Sequence, residues 1–110
     1  MTYNELEQYV KEISNYYIEF FDHEGPFAED SETHIRLTKK INDDIQLVFL
    51  IVYFNYKAKP KFPYIVECKK IDCKENIAKK ILEDHRFSEE QLTKEVLNDI
   101  IYQVEKKYSH

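Results

Sequence analysis

The chain has 110 residues, 43% of them hydrophobic and 34% charged, with nine Tyr and seven Phe. This is the size of one domain with one core, and so many large side chains exclude a disordered chain, which is poor in the groups that repay ordering entropy. The formal net charge of −5 is uneven: residues 1–34 carry nine acidic side chains and one lysine, whereas residues 35–80 carry eleven basic side chains against five acidic ones. Such a division lets an acidic front and a basic middle attract each other or face different partners.

Thr2 and Glu5 have the T-x-x-E spacing of a capping box and predict a helix over 2–21. Its apolar stripe is Leu6, Tyr9, Val10, Ile13, Tyr16, Tyr17, Phe20 and Phe21, at steps of three and four, with Glu7, Lys11, Glu12 and Glu19 largely opposite. Gly25 and Pro26 end it, and 22–33 reads as an acidic loop. Asp22, Glu24 and Gly25 superficially suggest a calcium loop, but Pro26 and Phe27 break the ligand spacing and the closing Glu is missing.

The span 34–71 is expected to form the sheet. Ile35, Leu37 and Ile41 alternate with Arg36, Thr38 and Lys40, Asn42, Asp43 and Asp44 make a turn, and 45–56 is nearly continuously apolar, as suits a long central strand covered on both faces. A third strand, 64–71, follows Pro60 and Pro63. Asp72 with Glu75 and Ser88 with Gln91 offer two further capping boxes, predicting helices over 73–85 and 88–108. The first has Ile77, Ala78, Ile81 and Leu82 on its apolar face; in the second, Phe87 staples against Leu92. The expected fold is one α+β domain over 1–110, ordered α-β-β-β-α-α, with a three- or four-stranded antiparallel meander packed against helices.

For chemistry the residues offer little. No secretory start or bilayer-length apolar run is present, so a cytoplasmic protein without membrane contact is expected. Cys68 and Cys73 lack the second pair or the histidines of a zinc site and read as reduced thiols, Cys68 packed in a strand and Cys73 open as to reactivity. His23, His34, His85 and His110 show no i, i+4 pairing, so no metal is expected, and His85 reads as a surface residue near a helix end. With one glycine the chain has no phosphate-cradling loop, and no cofactor is expected. Lys57, Lys59, Lys61 and Phe62 interleave cations with an aromatic as single-strand binders do, but a sequence pI of 5.4 favours a solvated loop over nucleic-acid contact.

The succession of a helix, a meander, a long strand 45–54, the Pro-containing stretch 56–63, a strand 64–71 and a closing segment that begins at Phe87-Ser88 resembles the RWD and ubiquitin-conjugating superfamily. Lys57 stands where that family usually has Pro, and residues 71–76 replace the His-Pro-Asn segment that precedes the catalytic cysteine of conjugating enzymes. The resemblance therefore implies a non-catalytic domain that docks other proteins.

The expected function is thus a non-enzymatic protein–protein interaction module, a small adaptor or oligomerising domain. On the central strand Ile45, Leu47, Phe49, Ile51 and Tyr53 point one way and Val48, Leu50, Val52 and Phe54 the other, more apolar surface than the expected elements cover, which makes the latter four partner-binding candidates, with a homodimer through the sheet face among the outcomes. Glu5, Glu12, Glu19, Asp22 and Glu24 are candidates for an acidic surface that steers a basic partner. Two alternatives stand: a small acidic inhibitor of the immunity or anti-defence type, and a small enzyme with a cysteine or tyrosine in a cleft.

Overall fold

In the computed structural model, which describes residues 1–108 apart from the side chain of Glu83, Thr2 and Glu5 form the expected reciprocal cap. Thr2 Oγ1 accepts from Glu5 N at 3.3 Å and Glu5 Oε1 accepts from Thr2 N at 3.0 Å. The hydrogen bonds from Thr2 hold the Glu5 carboxyl below its ordinary range. This helix, α1, spans Tyr3–Lys11 and stops at Glu12, whose N–H donates to Tyr9 O at 3.1 Å while Ile13 N donates to Val10 O at 3.1 Å.

The helix expected over 2–21 is therefore half that length, and Tyr17–Glu24 is a strand, β1. Ser14 and Asn15 are poor helix formers that favour turns, and the residues after them are aromatic or β-branched. Tyr16 and Phe20 fit a period of two, with Ile18 between them, as well as the i, i+4 spacing of a helix, and pairing with β2 from Tyr17 onward selects the strand. The acidic loop shrinks accordingly to residues 25–30, because Asp22, His23 and Glu24 complete β1 and Ser31, Glu32 and Thr33 open β2.

Strands β2 (Ser31–Lys40), β3 (Ile45–Asn55) and β4 (Tyr64–Asp72) stand where expected. Between β2 and β3, Asn42 Oδ1 accepts from the N–H groups of Asp44 at 2.8 Å and Ile45 at 3.0 Å, the Asx-turn chemistry anticipated from that triplet. The helix expected over 73–85 is instead a fifth strand, β5 (Ile77–Phe87). Asp72 Oδ1 does accept from Lys74 N and Glu75 N, as a cap would, but Asn76 takes a positive φ of 56° and turns the chain into a hairpin. Register shifts opposite Val66, Cys68 and Lys69 interrupt the alternation along β5, so its apolar residues mimic helical spacing. Ser88 and Gln91 cap each other as predicted, yet they close only a turn; Thr93 Oγ1 accepts from Val96 N, and helix α2 runs Lys94–Tyr108.

The α+β arrangement and the antiparallel meander are as expected, with five strands among the described residues, in the order β1-β2-β3-β4-β5, rather than three or four. Both helices lie on one face. Tyr3 of α1 stacks on Tyr53 at 4.9 Å, while in α2 Glu105 pairs with Lys39 at 2.5 Å and Tyr108 lies under Lys70 at 5.4 Å. Between helices and sheet, Leu6, Val10, Leu97 and Ile101 pack with Ile35, Leu37, Leu47, Phe49, Ile51, Tyr64, Val66 and Cys68 to form the core. Among the described residues no helix is long and apolar enough to cross a membrane.

The 25–30 connection is built around Gly25, whose N–H donates to Asp30 O at 2.9 Å, while Asp30 Oδ1 accepts from Lys57 N at 2.9 Å. A Cβ at Gly25 would lie 2.4 Å from Asp30 Cβ and 3.1 Å from the Tyr56 ring. Gly25→Ala should accordingly lower unfolding stability by about 1–3 kcal/mol, read as a shifted denaturant midpoint, because the β1–β2 connection must open to admit the methyl group. An unchanged midpoint would show that the connection yields freely.

Candidate functional site

Strand pairing decides what surrounds the four β3 residues whose side chains point away from the core. Thr38 and Lys69 flank Val48, Arg36 and Glu67 flank Leu50, and His34 and Ile65 flank Val52. On the outer strands Tyr17, Glu19 and Phe21 pair with Thr38, Arg36 and His34, and Lys80 and Arg86 pair with Lys69 and Ile65. An open depression of about 760 Å³ crosses this helix-free face, floored by Val48 and Leu50 and lined from β1 by Tyr17, Glu19 and Phe21, from β2 by His34, Arg36 and Thr38, and from β4 by Glu67 and Lys69. Val48, Leu50 and Phe54 are half-buried and Val52 is 7% exposed, whereas Tyr17 at the rim is 68% exposed.

Charge on this face is tied in place by ion pairs. Glu19 Oε1 accepts from Arg36 Nη2 at 2.8 Å and from its Nε at 3.0 Å, and the guanidinium lies 5.0 Å over the Phe21 ring. Lys80 Nζ reaches Asp84 at 2.8 Å and Glu67 at 3.2 Å; these hydrogen bonds raise the Lys80 pKa, and the one from Lys80 leads in lowering that of Asp84. Arg86 sits 5.5 Å over Phe54, which also meets the Tyr56 ring at 5.4 Å. Tyr56 Oη donates to Glu32 Oε2 at 2.5 Å, and that bond, with lesser help from burial, pushes the phenol up to about 12.

The five acidic candidates do not share a surface. Glu5 and Glu12 lie at opposite ends of α1, Glu19 faces the open side of β1, Asp22 faces the other and accepts from Thr33 Oγ1 at 3.0 Å, and Glu24 ends the strand. The expectation of one acidic helical surface fails because the chain is extended beyond Ser14 and Asn15, so neighbouring acids project to alternate faces. In the 56–63 loop Lys57 is paired with Glu29 at 2.9 Å, Lys61 lies 5.5 Å over Phe62, and Lys59 and Lys61 border a small depression shared with Glu89 and Glu90. The lysines are thus interspersed with acids.

Cys68 is fully buried, and burial pushes its thiol up to about 12, which withholds the thiolate that nucleophilic attack needs. Cys73 is exposed in the β4–β5 turn. His85 belongs to β5, not to a helix end, and packs on Phe87 at 4.5 Å. His110 lies outside the described residues. Sequence reasoning missed the meeting of His23 and His34, whose rings come within 4.3 Å across the β1–β2 hairpin. Among the described residues no three His, Cys, Asp or Glu side chains converge as a metal site would require.

Of the succession compared with the RWD superfamily, the long strand and the strand after its Pro-containing loop are present, while the segment before Phe87 is a strand. No family model, curated protein or solved structure matches this chain.

Proposed function

We propose that the chain is a non-catalytic protein-binding module whose contact surface is the helix-free face of the sheet. The observation that carries this reading is the column Val48, Leu50, Val52 and Phe54 on a face that neither helix covers. Fully burying an aliphatic side chain of this kind is worth about 1.5–3 kcal/mol, so a column left half-buried at three of its four positions retains free energy for a partner to collect. The rim is of the composition that binding surfaces favour, with Tyr17, Phe21, Arg36 and Arg86 around an aliphatic centre. Two unpaired cysteines suit a reducing compartment, and we place its action in the cytoplasm.

A photo-crosslinking amino acid at position 50, compared with one at position 102 on the exposed side of α2, tests this in the cells that make the protein. Adducts of protein mass should form from position 50 and not from 102. No adduct from position 50, or adducts from 102 alone, overturns the reading.

A further inference from the structure

Two charges flanking the centre of the open face exchange sign when the sheet is read from the other edge. The row through Leu50 runs Glu19, Arg36, Leu50, Glu67, and from β5 Lys80, which pairs with Lys69 one row away, reaches in between Glu67 at 3.2 Å and Asp84 at 2.8 Å. Beside Leu50 the signs are plus for Arg36 and minus for Glu67. Reversed, they read minus and plus, so each of the two meets the opposite charge on the mirror order.

A two-fold axis parallel to β3, lying between two such faces, performs that reversal. We infer that the partner is a second copy of this chain, packed face to face about this axis, with Arg36 against the partner's Glu67 on each side of a Leu50–Leu50 contact. This rests on the reading of the open face as a protein-binding surface. The next row supports it: Phe21, paired through His34 with Val52, and Arg86, paired with Ile65, exchange ends, so each aromatic ring meets the partner's guanidinium.

The charges also disfavour the other in-plane axis through Leu50. A two-fold across the strands at that row keeps the lateral order and sets Arg36 on the partner's Arg36 and Glu67 on the partner's Glu67, which like-charge repulsion opposes. Paired sheets cross at about 30°, and a residue one strand (~4.8 Å) from the centre is displaced by only about 2.5 Å, within reach of an arginine side chain. The footprint is adequate. Five strands ~4.8 Å apart, with eight residues in β1 at ~3.3 Å each, span on the order of 600 Å² before side-chain relief, near the roughly 800 Å² per partner of a stable interface.

Sedimentation equilibrium of the full chain, from micromolar to submillimolar, tests the inference together with Arg36→Glu and Glu67→Arg. Wild type should dimerise, and each variant alone should raise the dissociation constant about 100-fold, since it places like charges together at both symmetric contacts. An equimolar mixture of the two variants should form a heterodimer within about tenfold of wild type. In it the carboxylate introduced at position 36 of one chain meets the guanidinium introduced at position 67 of the other, and the remaining contact keeps its original pair, Arg36 with Glu67. Recovery in the mixture is available only to folded chains, and circular dichroism of each variant checks the fold directly. A monomeric wild type, reversals without effect, or a mixture no better than its parts would each overturn the second copy as occupant. Adducts from position 50 to a different protein, beside a monomeric wild type, would leave the binding face standing and reject self-association; no adducts at all would reject both.

Discussion

Phe49→Ala should cost about 3–5 kcal/mol of folding stability, whereas Leu50→Thr, one residue along the same strand, should cost about 1 kcal/mol or less. Phe49 is 1% exposed, meets Tyr16 edge-on at 5.9 Å and lies between the paired residues Leu37 and Cys68 under the helices, so truncation leaves a cavity that a sheet cannot collapse into. Leu50 points to the helix-free face, where a β-branched polar residue keeps the strand propensity and solvent replaces the lost contact. Guanidinium denaturation at low protein concentration, where association adds nothing, measures both. A domain of this size has about 5–15 kcal/mol in hand, so the first loss brings it close to unfolding and the second is barely visible. Equal large losses would mean that the open face belongs to the core of the single chain, and the proposed binding surface would fall with it.

The two faces of β3 were readable because its β-branched and aromatic residues mark residues 45–55 as a strand, and successive side chains of a strand point to opposite faces. What lies beside them was not. Glu19 and Arg36 become neighbours only when residues 17–24 are extended, and the apolar spacing of residues 13–21 fits a helix as well as a strand. Ser14 and Asn15 were the available signal, outweighed by the strong cap at Thr2. On β5 the sequence pattern was obscured by the register shifts, which place Lys80 opposite Lys69 and Leu82 opposite Cys68, a spacing that no simple period describes. The inverted charge order thus resides in cross-strand register, a property of tertiary pairing that local propensity does not encode.

Raising the pH should unfold the protein from about pH 9 upward, and the buried face of the sheet is the cause. Cys68, Tyr64 and Tyr16 are 0%, 0% and 8% exposed, and burial raises all three pKa values, Cys68 from 9.0 to about 12 and both tyrosines well above their ordinary 10.0. Each group stays protonated in the folded chain while it ionises in the unfolded one, so the stability it contributes is whole below the unfolded pKa and lost as pH climbs toward the folded value. The slope is about 1.4 kcal/mol per pH unit for Cys68 alone between pH ~9 and ~10, and about 4 kcal/mol per unit once both tyrosines join. Denaturant midpoints across that range should fall in two stages, and Cys68→Ala should abolish the first while leaving the second. Tyrosinate absorbance supplies the independent check. If all nine tyrosines ionised together near pH 10 with the fold intact, Tyr16 and Tyr64 would not be sealed beneath the helices, and the division of the sheet into a closed face and an open one would have to be redrawn.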